Sequence, residues 1–472
     1  MPDLDKTSYK MNSQKKIEGQ WFVDGAEAAP LPGTLDFEPE EGLTLRVSRH
    51  RAPNAAQAFA SVLQPRQLPT LILGQDGHGR RITLLGCVQS NINAQAALDQ
   101  ITIHALVGLM GAHYGQGNNP QFLDANATFT ALDTWLLRPA LIRDVGPNGL
   151  IRVTQAPLDD IRVPLPDTAS LTLTSRISQA TSAYGTETTF RQKQSVTFRF
   201  ATPQSPQSIV DDYVNRFCHF LTFAVGSTVF IEEVSFGSPD NPVERIELLQ
   251  ANPGITQPRA SVHPQNCVIQ ANEVGSNLPA VLTRWFTLFS DIEAVLNLYF
   301  TAGNNSNIPA STQFLMFAQA LEAYHGRSNQ FVHEVQPRAD FRRRRNAIVA
   351  AVPEAERPWL TEKLNFANQK TLADRLAEIL QNQAAYVPSF IPDTAVFADV
   401  VRWTRNYYTH YSPEEEERET PRIAEGADLA MYSLRMKALL SLLFSRDLEL
   451  PESTAQRIVQ RAQQIRVVTA HQ

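Results

Sequence analysis

The hydrophobic pattern of this 472-residue chain changes period once, and that change limits the folds open to it. From about residue 20 to residue 250, apolar residues recur mostly at every second position, the repeat of a strand with one face buried. Beyond residue 277 they recur at three- and four-residue spacing, the repeat of a helix. A Pro-, Asn- and Gly-rich tract at 252–277 separates the two textures and reads as a domain boundary. The expected fold class is therefore α+β. A polar lead-in over 1–18 precedes a β-rich domain over 19–270, sandwich- or barrel-like, and an all-α bundle over 271–472.

Within the first part, residues 33–47 alternate on both sides of a Glu-Gly turn. Residues 70–74 and 81–87 flank Gln75-Asp-Gly-His-Gly79, whose glycines supply the positive φ of a hairpin turn. Further strands are predicted at 101–106, 127–137, 161–164, 171–177, 188–200, 227–235 and 246–249. Phe190, Val196, Phe198 and Phe200 share one face of the 188–200 strand. A covering helix starts near Ser208, a candidate N-cap, and carries Tyr213, Phe217, Leu221 and Phe223. In the second part helices are predicted at 278–300, 309–325, 339–352, 357–368, 372–383, 394–411, 427–444 and 453–467.

Composition narrows the function. A net charge of −6 gives no global attraction for nucleic acid, so any RNA contact must be local. The three cysteines, Cys87, Cys218 and Cys267, are far apart and form no CxxC pair, which argues for reduced thiols and against zinc. No run reaches the ~20 apolar residues that span a bilayer, and the first residues are acidic and polar, unlike a signal peptide. A soluble cytoplasmic protein is expected.

The candidate chemistry lies in the helix over 394–411. Phe397, Val400, Val401, Thr404, Tyr408 and Tyr411 form its apolar stripe. Arg402, Asn406 and His410, four apart, line another edge, and Arg405 points about 140° away from His410 on an ideal helix. Pro413 is expected to end the helix. Arginine for a phosphate, histidine for a proton and asparagine to orient them would suit RNA cleavage; a solvated helix face fits the same spacing. Arg327 and His333 have a similar spacing but lie in a loop-like stretch. Arg342, Arg343, Arg344 and Arg345 form a run that is either a solvated face or a phosphate-binding patch. Glu414–Glu417 follow the candidate site as a loop able to repel RNA or gate access. Glu322 and His325 end an apolar helix, either as a paired polar cluster or as partners that position His410. Tyr408 is a further supporting candidate. The glycines of 111–117 lack the Lys-Ser/Thr of a phosphate loop, and no GxSxG, HExxH or kinase set is present.

Arg405-Asn-Tyr-Tyr-Thr-His410 near the end of a late helix resembles the Arg-polar-x-x-x-His signature of the HEPN ribonucleases. Gln313-Phe-Leu-Met-Phe-Ala-Gln-Ala-Leu-Glu-Ala-Tyr-His325 and Asn365-Phe-Ala-Asn-Gln-Lys-Thr-Leu-Ala-Asp-Arg-Leu376 are similar to the ApeA-like HEPN branch. Gly19-Gln-Trp-Phe-Val and Gly33-Thr-Leu-Asp-Phe resemble the β-rich domain that accompanies it. The resemblance implies a metal-independent endoribonuclease of anti-phage abortive infection, with no cofactor and with tRNA a candidate substrate. It implies that Arg405 holds the scissile phosphate, His410 acts as acid and base, and Asn406 orients them. It also implies a homodimer or larger homo-oligomer through the HEPN domain, with the β domain as phage sensor or brake. Arg402 and Arg342–Arg345 are the RNA-binding candidates. The competing expectation is a non-catalytic dimerisation scaffold whose β domain binds a protein or glycan.

Overall fold

The computed structural model describes residues 11, 13–23, 29–50, 71–94, 98–115, 119–146, 148–182, 184–238, 244–253, 262–305, 307–411 and 423–469. The chain divides into two compact units, Met1–Asn272 and Glu273–Gln472. The fold class is α+β: a large antiparallel sheet domain precedes a helical one.

The described strands of the first unit are β1 (Lys15–Phe22), β2 (Leu31–Glu38), β3 (Gly42–His50), β4 (Leu71–Asp76), β5 (Arg81–Leu85), β6 (Val88–Ala94), β7 (Leu98–Ala105) and β8 (Val107–Met110). They continue as β9 (Phe122–Phe129), β10 (Leu141–Val145), β11 (Ile151–Gln155), β12 (Ile161–Pro164), β13 (Ser170–Thr181), β14 (Thr188–Gln204), β15 (Ile231–Gly237) and β16 (Arg245–Gln250). All but β10 and β11 join one antiparallel sheet, in the order β12-β13-β14-β9-β15-β16-β8-β5-β4-β1-β2-β3-β7-β6.

This sheet curls. β3 lies six places from β16 in the order, roughly 29 Å away if the sheet were flat. Yet the Asn252 N–H, just past β16, donates to the Pro39 carbonyl at 2.7 Å, just before β3. Leu35, Phe37, Leu45, Val47, Ile72, Ile82 and Ile103 fill the enclosed core with Trp21, all at 0% exposure. Trp21 lies across its partner residue Gly74, where an added Cβ would sit 2.2 Å from the indole. Only glycine admits the ring there.

The flanking part of the sheet carries helix α2, which runs continuously through Pro206–Ile209, the π turn Val210–Val214 and Asn215–Val225. Its Phe217 packs on Phe129 at 5.1 Å between ring centres, and Phe220 meets Trp135 edge-on at 5.6 Å. The N-cap is Ser205 rather than Ser208: the Ser205 side chain accepts from the Ser208 N–H at 3.1 Å. Pro206 has no N–H to lose and a preset φ, so it fixes the first helical position. The predicted strand over 127–137 also needs correcting. β9 ends at Phe129, and Leu132–Leu136 form a short helix, α1, burying Leu132, Trp135 and Leu136 at helical spacing. Phe190 is 38% exposed, unlike Val196, Phe198 and Phe200, because β9 pairs with β14 only from Val196 onward.

In the second unit the described helices are α3 (Leu278–Asn304), α4 (Ala310–Arg327), α5 (Arg338–Ala350), α6 (Arg357–Lys363), α7 (Leu372–Asn382), α8 (Thr394–His410), α9 (Gly426–Asp447) and α10 (Glu452–Thr469). α3, α4 and α9 form the centre, where Tyr299 meets Phe444 at 5.2 Å and its hydroxyl shares a hydrogen bond with Ser441 at 2.9 Å. α7 and α8 pack together, and each packs on α4. That arrangement builds the site.

Candidate active site

α4 carries two stripes. Phe314, Phe317, Ala318, Leu321, Tyr324 and His325 recur at three- and four-residue spacing and are buried in the bundle. Leu315, Gln319, Glu322 and Gly326, offset by one residue, face a cleft of about 550 Å³. α8 is divided likewise. Its N-cap Asp393 accepts from the Val396 N–H at 2.9 Å, and Phe397, Val400, Val401 and Thr404 face the core. One position further on, Arg405 and Thr409 line the cleft. Arg375 from α7 and Arg327 from the end of α4 complete the basic lining.

Three arginines thus surround one acid. Glu322 Oε2 is 3.6 Å from the Arg405 guanidinium, and Oε1 is 3.7 Å from that of Arg375. Arg375 is held from behind by donating to the carbonyls of Lys370 and Glu322. The Arg405–Glu322 pair is about a third exposed on each side, so it contributes only ~0–1 kcal/mol. A phosphate has the charge and geometry to take over such an arginine.

Arg405 Nη1 also donates to the Asn406 side-chain oxygen at 3.3 Å. Asn406 and His410, one turn apart, lie on the neighbouring stripe, and His410 is exposed at the end of α8. The helix ends there because Tyr411 turns left-handed, with φ 48°, and its N–H closes on the Tyr407 carbonyl. Pro413 and Glu414–Glu417 lie outside the described residues. Tyr407, Tyr408 and Tyr411 cluster at this end with ring centres 5.1–6.0 Å apart. Burial first, then Glu425 and Tyr411, raise the Tyr408 hydroxyl above its ordinary value, so it stays a neutral phenol. Arg402 pairs with Asp399 at 3.0 Å and lies over Trp403.

His325 is placed elsewhere. Fully buried, it faces α7, with Nε2 2.7 Å from Glu378, and stacks on Phe331. Burial pushes its pKa down against the pull of Glu378, so the ring is neutral with Nε2–H donating. Burial would raise Glu378, but hydrogen bonds from Lys370 and His325 outweigh it and hold the carboxyl below its usual range. The structure therefore joins Glu322 to Arg405 and assigns His325 to a buried α4–α7 contact. His333 stands 5.9 Å from His325, remote in role from the α8 pair. Arg342–Arg345 lie on α5. The described residues contain no cluster of three His, Cys, Asp or Glu able to share a metal ion. Burial raises Cys87 and Cys218 to about 12, which disarms both as nucleophiles.

Arg375 and Arg327 as cleft residues went unpredicted. Arg375 follows a Thr371–Asp374 capping box on a helix of its own, and only the packing of α7 on α4 brings it to Glu322.

Comparison with known families agrees with this layout. Residues 16–285 match the family model described as ApeA N-terminal domain 1, and residues 315–454 match Apea-like HEPN. The first match alone spans more than half of the 472 residues, and the chain belongs to the ApeA family of HEPN proteins. HEPN domains generally act on RNA as nucleases and pair as dimers, and the family points to anti-phage defence. No curated protein and no solved structure matches the chain. No helix among the described residues is long and apolar enough to cross a membrane.

Proposed function

We propose that the protein is a metal-independent endoribonuclease of abortive infection, cutting host RNA, with tRNA a candidate, once a phage protein is sensed through the strand unit. The observation that carries this reading is the cleft in which Arg405 stands with Arg375 and Arg327 around one weakly held carboxylate. A phosphodiester entering there displaces Glu322 from Arg405, and the guanidinium stabilises the charge that develops on phosphorus oxygens. His410 takes the proton of the RNA 2′-hydroxyl as that oxygen attacks phosphorus, and a proton is returned to the leaving 5′-oxygen. The products are a cyclic phosphate and a 5′-hydroxyl.

Arg405 faces the cleft, whereas His410 stands exposed on the next stripe. That separation supports a site shared between two copies, Arg405 from one and His410 from the other. Mixing Arg405→Ala with His410→Ala protein tests it. Each variant alone is inactive, while each mixed dimer holds one intact pair of two, so an equal mixture, about half of it mixed dimers, recovers about a quarter of wild-type activity. A mixture as inactive as its components would refute the shared site. In cells, His410→Ala should relieve the growth arrest caused by the triggered wild type; persistent arrest would remove His410 from the mechanism.

A further inference from the structure

Between α4 and α7 the chain leaves the bundle and returns as an arm over residues 328–371. Its base is laced. Glu334 and Gln369 form an antiparallel bridge, and the Val335 N–H donates to the Asn368 carbonyl at 2.9 Å. The buried Asn368 side chain accepts from the Gln336 N–H at 3.1 Å and donates to the Gln336 carbonyl at 2.9 Å. Beyond the base, α5 and α6 pack on each other, and Arg357 donates to the carbonyls of Val352 and Ala350 at their junction.

Neither α5 nor α6 buries a side chain. Packing therefore does not dictate what their surfaces carry, and what they carry is specific. α5 holds five arginines against one acid, Asp340, in a chain of net charge −6. Arg338 pairs with Glu334 and Arg343 with Asp340. Arg342, Arg344 and Arg345 have no ion pair among the described residues. Arg342 lies four residues from Arg338 and three from Arg345, so like charges share one helix face, which attracts an anion. On the same arm Trp359 is 58% exposed and Phe366 72% exposed, rings that a folded chain ordinarily hides. The arm also springs from the two helices that wall the cleft: Arg327 ends α4, and Arg375 lies in the first turn of α7.

We propose that this arm docks single-stranded RNA flanking the cut site, with Arg342, Arg344 and Arg345 on its phosphates and Trp359 and Phe366 stacking its unpaired bases. Guanidiniums and exposed rings on one arm match what single strands present, a charged backbone and apolar base faces. Arginines and aromatic rings are also common at protein interfaces, so a protein contact is the outcome that direct RNA binding must exclude. The inference rests on the reading of the cleft as an RNA-cleaving site.

The test uses the full-length His410→Ala protein, which binds without cutting, and a labelled single-stranded oligouridylate. Arg342→Ala/Arg344→Ala/Arg345→Ala should lower the slope of log affinity against log salt by about 2, at roughly 0.7 per lost phosphate contact. Trp359→Ala/Phe366→Ala should weaken binding about tenfold or more while leaving that slope unchanged. Thermal midpoints should stay at the parent value, since these residues are not buried. Unchanged binding by both variants, with cleavage by the wild type intact, would overturn the arm and spare the cleft. Variants that change only oligomer size would mark the arm as a protein contact and equally refute the proposal. No binding by the parent and no cleavage by the wild type with phage lysate present would remove both readings.

Discussion

The two units each carry an open cleft of similar size, and they differ in how charge is settled there. In the strand unit a cleft of about 640 Å³ runs over the outward faces of β1, β2 and β3. It holds Lys16 and Arg46 against Glu18, Asp36 and Asp76. Arg46 is already paired to Asp36, and Asp76 is buried, accepting from the His78 and Arg80 N–H groups of its own turn. In the helical unit a cleft of about 550 Å³ gathers three arginines around one glutamate that contacts two of them at 3.6 and 3.7 Å. Volume does not separate the two. What separates them is cationic charge left over in one and neutralised in the other, and leftover charge of one sign in a concave site attracts a ligand of the opposite sign.

That contrast can be broken in several places. The largest effect belongs to the strand core: Trp21→Ala should cost ~3–5 kcal/mol, loosening the sheet while leaving the helical unit's amides protected in hydrogen exchange. Loss of protection in both units together would show that they unfold as one. Removing the α8 cap by Asp393→Ala should cost ~1 kcal/mol, seen as a lower urea midpoint and faster exchange in the first turn of α8. Smaller again, Glu322→Gln should tighten RNA binding a few-fold by freeing Arg405, roughly the ~0–1 kcal/mol of the pair. Asp36→Asn in the other cleft should leave RNA binding unchanged, and an equal effect from both would erase the distinction between the clefts.

The smallest effect concerns pH. His325 has its pKa lowered from 6.5 by burial, so the folded helical unit binds fewer protons than the unfolded chain just below that value. Its stability is full above pH 6.5 and falls as pH drops below it. Glu378, also held low, adds a loss at more acid pH. The strand unit has a counterpart in His219, which burial takes from 6.5 to about 4, so its stability declines across that interval. Urea midpoints between neutral pH and pH 4 measure both slopes, and His325→Gln should flatten only that of the helical unit.

Much of the fold was legible because periodicity reports burial directly. The change from strand to helix texture, the β4–β5 hairpin and α8 all follow from it. The exceptions have local causes. Ser205 outranks Ser208 as a cap because Pro206 sets where the helix begins, and the stretch after Phe129 turns helical because Leu132, Trp135 and Leu136 share one helical face. The site was legible only along a single helix. Arg405, Asn406 and His410 are neighbours in sequence, and the Arg405–Asn406 contact follows from that. Glu322 and Arg375 reach the same cleft from α4 and α7, more than 50 residues apart in the chain, and no spacing rule links them. His325 illustrates the reverse: three residues from Glu322, it turns to the core stripe and meets Glu378.

The most direct measurement is cleavage of a total tRNA pool by purified protein, with EDTA and phage lysate present, comparing wild type with Arg405→Ala and His410→Ala. The wild type should cut and leave cyclic phosphate ends, and each variant should be slower by at least about 100-fold. Variants that cut as fast as the wild type, or a wild type that cuts nothing, would contradict the assignment of RNA cleavage to Arg405 and His410.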